Sequence, residues 1–183
     1  MEEQDETERR AIEKAMASFR LGELNQARAV ARETLDKGIE APFLLKVEAL
    51  WLQQEGRLQE SLRAYHHART LDVHDPAILY GIASVLSEMG EYEKALQIVE
   101  EVLKANPAAA SIHYLKGRIL DKRYQYKLAL LSYEKAEQLA PKSAAVLAAM
   151  AANCFSLGNL ERASKLSDKA LILQADEPTA NIT

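Results

Sequence analysis

Across residues 79–107, "LYGIASVLSEMGEYEKALQIVEEVLKANP", apolar side chains recur at intervals of three and four on both sides of one glycine. That rhythm predicts two amphipathic helices joined by a tight turn. Related phrases stand elsewhere: "LGELNQAR" from Leu21, "EGRLQESL" from Glu55 and "LGNLERAS" from Leu157. Their glycines, Gly22, Gly56, Gly90 and Gly158, are 34, 34 and 68 residues apart, and Tyr124 occupies the missing place in "RYQYKLAL".

A frame with each turn residue at position 15 divides the chain into units 8–41, 42–75, 76–109, 110–143 and 144–177 without insertion or deletion. Position 8 reads Ala15, Ala49, Ala83, Gly117 and Ala151; position 20 reads Ala27, Ser61, Ala95, Ala129 and Ala163. Positions 4, 8 and 11 share a face of the first helix of each unit, and 20, 24 and 27 a face of the second. Small residues at 8 and 20 allow the two backbones to approach closely. Glycine at 15 lets the first helix end in a left-handed turn without a Cβ penalty. Pro107 and Pro141, both at position 32, stop the second helix. Residues 1–7 are read as a flexible acidic segment and 178–183 as a tail.

On these columns the units resemble tetratricopeptide repeats, whose pattern is a 34-residue helix–turn–helix with small residues at 8, 20 and 27. The likeness covers residues 8–177, and the third and fourth units carry it best. Departures are the missing aromatic at position 4, Tyr124 at the turn, and Lys37 where later units carry an apolar residue or alanine. The resemblance implies an all-α fold, a right-handed superhelical α-solenoid of five hairpins. It also implies a non-catalytic scaffold that binds a protein or peptide on its concave side.

Composition narrows the function. Five acids fall within the first eight residues, leaving 23 basic against 22 acidic residues in the remainder, so no basic field exists for nucleic acid. The lone cysteine, Cys154, excludes an internal disulfide and a cysteine zinc site. No apolar run reaches membrane-spanning length, and the acidic N-terminus is unlike a signal peptide, so direct membrane insertion is not expected and the cytoplasm is the expected compartment. No glycine-rich phosphate loop, metal-ligand cluster or nucleophile constellation stands out, so no cofactor, metal or catalytic residue is assigned.

The concave face implied by the resemblance takes positions 2, 5, 9, 12 and 13 of each first helix. The candidate partner groove comprises Phe43, Lys46, Leu50, Tyr80, Ser84, Tyr114, Arg118, Asp121 and Lys122. Tyr80 and Tyr114 share a column, and Gly81 with Ser84 is expected to leave open space beside Tyr80. Position 6 reads Glu13, Val47, Gly81, Leu115 and Ala149, which rules out the chaperone-tail carboxylate clamp and the asparagine ladder found elsewhere in the family. "SAAVLAAMAANCF", residues 143–155, is apolar nearly all round. Ala145, Ala148, Ala149, Met150, Ala152 and Phe155 therefore form a second candidate surface, an end-to-end interface for a homo-oligomer. A third expectation is that the chain is the docking or regulatory part of a longer enzyme.

Overall fold

A computed structural model describes residues 2–176, with side chains over 6–175. Glu177 and the expected tail at 178–183 lie outside the described residues. Among the described residues there are ten α-helices and no strand. They are α1 (Glu2–Arg20), α2 (Leu24–Asp36), α3 (Pro42–Gln54), α4 (Leu58–Leu71), α5 (Pro76–Glu88), α6 (Tyr92–Ala105), α7 (Ala110–Lys122), α8 (Tyr126–Leu139), α9 (Ala144–Ser156) and α10 (Leu160–Asp176). The acidic N-terminal segment continues α1 back to Glu2.

The same closure ends every first helix. At Gly22, Gly56, Gly90 and Gly158 φ lies between 73° and 80°, and a Cβ built there would touch nothing within 4 Å. Backbone conformation, not space, demands glycine. The next residue's amide reaches back five residues to a carbonyl left over by the helix: Glu23 to Ser18, Arg57 to Leu52, Glu91 to Leu86 and Asn159 to Cys154. Tyr124 makes the same turn at φ 60° with Gln125 bonded to Leu120, although an L side chain pays steric strain there.

Proline and short polar side chains start the next pairs. Pro42 and Pro76 open α3 and α5, where a missing amide hydrogen costs nothing. Asp75 caps α5 by accepting from the Ala77 amide at 2.7 Å, and Ser143 caps α9.

By contact the chain divides into two compact units, Met1–Ile98 and Val99–Thr183, and the division falls within α6. In the first, Ala15, Ala27, Ala31, Leu44 and Val47 form a buried cluster with Ile12, Phe19 and Phe43 packed against it. The small residues at positions 8 and 20 are in direct contact: the Ser61 hydroxyl donates to the Ala49 carbonyl at 2.7 Å. In the second, Leu115, Ile119, Tyr133, Met150 and Cys154 are enclosed. Met150 is therefore withdrawn from the expected end-to-end surface. Its side chain is 0 % exposed because it completes the packing of α9 on its neighbours.

Candidate functional site

The first unit holds Phe43, Lys46, Leu50, Tyr80 and Ser84 on α3 and α5. Phe43 is half-buried, with its ring edge-on to Phe19 at 5.6 Å. Lys46 is already neutralised: its ammonium lies 3.2 Å from Asp75, the residue that caps α5, and 5.5 Å from the centre of the Phe43 ring. Ser84 is buried rather than lining an opening, and accepts a hydrogen bond at 3.0 Å from Gln53, which also donates to Glu88. The side chains of α3 and α5 thus satisfy one another.

The expected space beside Tyr80 is occupied. A Cβ on Gly81 would lie 2.3 Å from the ring of Tyr65, which enters from α4. The second unit repeats the device within one hairpin: Gly117 on α7 receives the ring of Tyr133 from α8, 2.4 Å from a notional Cβ. Both tyrosines stand at position 24 of the frame, a coincidence in the sequence that could have signalled ring-to-glycine packing. Burial drives both phenols well above their ordinary pKa, and for Tyr133 a hydrogen bond to Asp121 adds to it.

On α7 the second unit gathers Tyr114, Arg118, Asp121 and Lys122. Tyr114 leans on Tyr133 with centroids 5.9 Å apart, and the Arg118 guanidinium sits 5.9 Å over the Tyr114 ring. Asp121 faces inward electrically. Its Oδ2 accepts from the Tyr133 hydroxyl at 2.6 Å, and its Oδ1 accepts from Asn153 of α9 at 2.5 Å. Asn153 also donates to the Tyr126 carbonyl at 3.0 Å, while its own Oδ1 is buried without a hydrogen-bond partner. Arg118 makes no ion pair among the described residues, and Lys122 lies exposed one turn further along.

A polar cluster in the first unit was not anticipated from the sequence. Glu48, with a side chain only 9 % exposed, binds Arg28 at 3.0 Å and Arg32 at 3.6 Å, and Arg28 stacks 3.7 Å from the Trp51 ring. A cleft of about 450 Å³ beside it is lined also by Arg57, Glu60 and Arg63. Its charges are spread over all three helices of the cleft, so no single periodic stripe reveals them. No group of three or more potential metal ligands occurs among the described residues. Cys154 is buried, and burial pushes its thiol upward, away from the reactive thiolate.

Family models described as tetratricopeptide repeat match residues 52–119 and 110–143. The chain belongs to the tetratricopeptide repeat family. Its fold class is an all-α solenoid of tetratricopeptide-type hairpins. The tetratricopeptide protein TTC0263 of Thermus thermophilus superposes with a TM-score of 0.80 at 18 % identity, covering 93 % of each chain. The human protein O-mannosyl-transferase TMTC1 is 28 % identical over 150 residues, 82 % of this chain and 17 % of that protein. Cell division cycle protein 27 homolog A of Arabidopsis thaliana is 31 % identical over 90 residues, 49 % of this chain and 13 % of that protein. This tetratricopeptide chain thus spans under a fifth of the length of either curated relative. No helix among the described residues is long and apolar enough to cross a membrane.

Proposed function

We propose that this tetratricopeptide chain is a non-catalytic interaction scaffold of five units within residues 8–177. It binds a peptide or a partner helix bearing carboxylates along the Tyr114–Arg118–Lys122 stripe of α7. The observation that carries this reading is the placement of Arg118: its guanidinium lies over the Tyr114 ring and makes no ion pair among the described residues, so its planar fork of donors can meet an incoming carboxylate. Tyr114 offers apolar area with a polar tip, a combination enriched where proteins grip one another. Taken by itself, the first unit presents half-buried Phe43, Leu50 and Tyr80, and its Lys46 is paired with Asp75. The cytoplasm is the compartment we propose for this activity.

Selection of a random displayed peptide library on the immobilised chain tests the reading. Peptides rich in Asp or Glu, or bound through a free C-terminus, are expected, and the Arg118→Ala variant should retain few of them. Recovery of the same peptides on that variant contradicts it.

A second reading places the chain as a docking portion of a longer enzyme. It draws on the match to an O-mannosyl-transferase of which the chain covers 17 %. Sequencing the complete gene product decides it.

A further inference from the structure

Two grooves in the second unit correspond through the 34-residue frame, and only one is filled. Between α7 and α8 lies α9, whose Asn153 reaches Asp121 and the Tyr126 carbonyl while the Tyr133 ring packs on Gly117. The corresponding groove between α9 and α10 has a volume of about 650 Å³ and is lined by Ala148, Ala151, Phe155, Leu160, Ser167 and Leu171 among others. Ser167 stands where Tyr133 does in the filled groove, and Phe155 where Asp121 does. The ring that fills one groove is therefore missing from the other, and the polar anchor is replaced by an aromatic. None of the lining residues carries a charge. Of these, Phe155, Leu160 and Leu171 are 68 %, 61 % and 63 % exposed.

The chain contains one helix of the right frame that would not fit. Where α9 buries Val146, Met150 and Asn153, α1 carries Arg10, Lys14 and Ala17 at the same positions of the frame. Burying two cations in an uncharged groove is unfavourable, so head-to-tail stacking of copies through α1 is disfavoured. The uncharged α9–α10 face of another copy has no such obstacle.

We propose that a second copy of this chain covers the groove, with the two α10 helices packed antiparallel about a two-fold axis at Ser167. Leu160, Ser164, Ser167, Leu171 and Gln174 are spaced alternately by four and three, the period of a coiled-coil seam. An antiparallel pair centred on Ser167 sets Leu171 of each copy against Ala163 and Ser164 of the other, and Leu160 against Gln174. Large residues meet small ones in both directions, as an isologous interface requires. The small centre lets the helices approach, and Phe155 closes one side. Three residues anticipated for an end-to-end surface, Ala148, Ala152 and Phe155, belong to this groove, but α10 supplies most of its lining.

Sedimentation equilibrium of the wild type over a range of concentrations, and of Leu171→Glu, reads the mass directly. The wild type is expected to reach twice the 20.4 kDa protomer mass, and the variant to stay at one protomer with unchanged helical circular dichroism. Ser167→Cys adds an independent readout, because the native Cys154 is enclosed and cannot react. Mild oxidation should cross-link Ser167→Cys into a dimer far faster than the control Arg63→Cys. A wild type that remains a protomer, a dimer that survives Leu171→Glu, or equal cross-linking of the two cysteine variants overturns the proposal. Peptide binding by α7 does not enter any of these readings.

Discussion

The Tyr133 hydroxyl donates to Asp121 at 2.6 Å across the α7–α8 hairpin, which turns a carboxylate of α7 to work inside the fold. Tyr133→Phe keeps the ring against Gly117 and removes only the donor. The lost hydrogen bond to a charged acceptor should destabilise the fold by roughly 1.5–3 kcal/mol, read as a lower urea midpoint.

Alkaline pH should reveal the two enclosed phenols. Tyr65 and Tyr133 hold their protons in the folded state well above the value of about 10 that a tyrosine has in the unfolded chain. Above that pH the unfolded state binds fewer protons than the folded one. Their contribution to stability is therefore complete below about pH 10 and is lost as the pH rises beyond it. In a near-ultraviolet titration, two of the seven tyrosines should ionise only together with loss of helical circular dichroism. Ionisation of all seven while the helices persist would contradict the burial assigned to them.

The glycine–tyrosine contact gives a paired test. Gly81→Ala places a methyl 2.3 Å from the Tyr65 ring, and overpacking of this kind should cost about 1–3 kcal/mol even though alanine favours helix. Tyr65→Leu alone leaves a cavity and also destabilises. Combined, the two changes should cost less than their sum, and a double-mutant cycle by denaturant unfolding measures that coupling.

At the fourth turn the expected change is a gain. Tyr124 adopts φ 60° and is 79 % exposed, so replacing it loses little beyond an edge-on contact with the Tyr126 ring at 6.2 Å. Tyr124→Gly relieves the left-handed strain at some cost in unfolded-chain entropy. The net effect should be a stabilisation of about 0.5–1 kcal/mol, visible as a raised thermal midpoint.

The helix pairs were legible because their cause is local. A glycine every 34 residues and small residues at fixed columns state where each helix ends and which faces meet, and the turns at Gly22, Gly56, Gly90 and Gly158 all take the conformation those residues imply. The candidate site was legible only in outline. Column positions bring Tyr114, Arg118 and Lys122 to one stripe, but they do not say which neighbours are spent. That Asp75 neutralises Lys46, that Gln53 engages Ser84, and that Tyr65 fills the space beside Gly81 all depend on side chains arriving from a different helix. Met150 shows the same limit: an alanine-rich helix looks apolar all round, and periodicity alone does not say which side is covered.

Titration of a selected carboxylate-bearing peptide by fluorescence anisotropy, against the wild type, Arg118→Ala and Arg118→Lys, tests the scaffold reading most directly. The account predicts at least a tenfold loss of affinity for Arg118→Ala, the loss of a charged hydrogen-bond pair worth about 1.5–3 kcal/mol. It also predicts partial recovery with lysine, weaker binding at higher salt, and unchanged circular dichroism throughout. Equal affinity for the wild type and Arg118→Ala would contradict it.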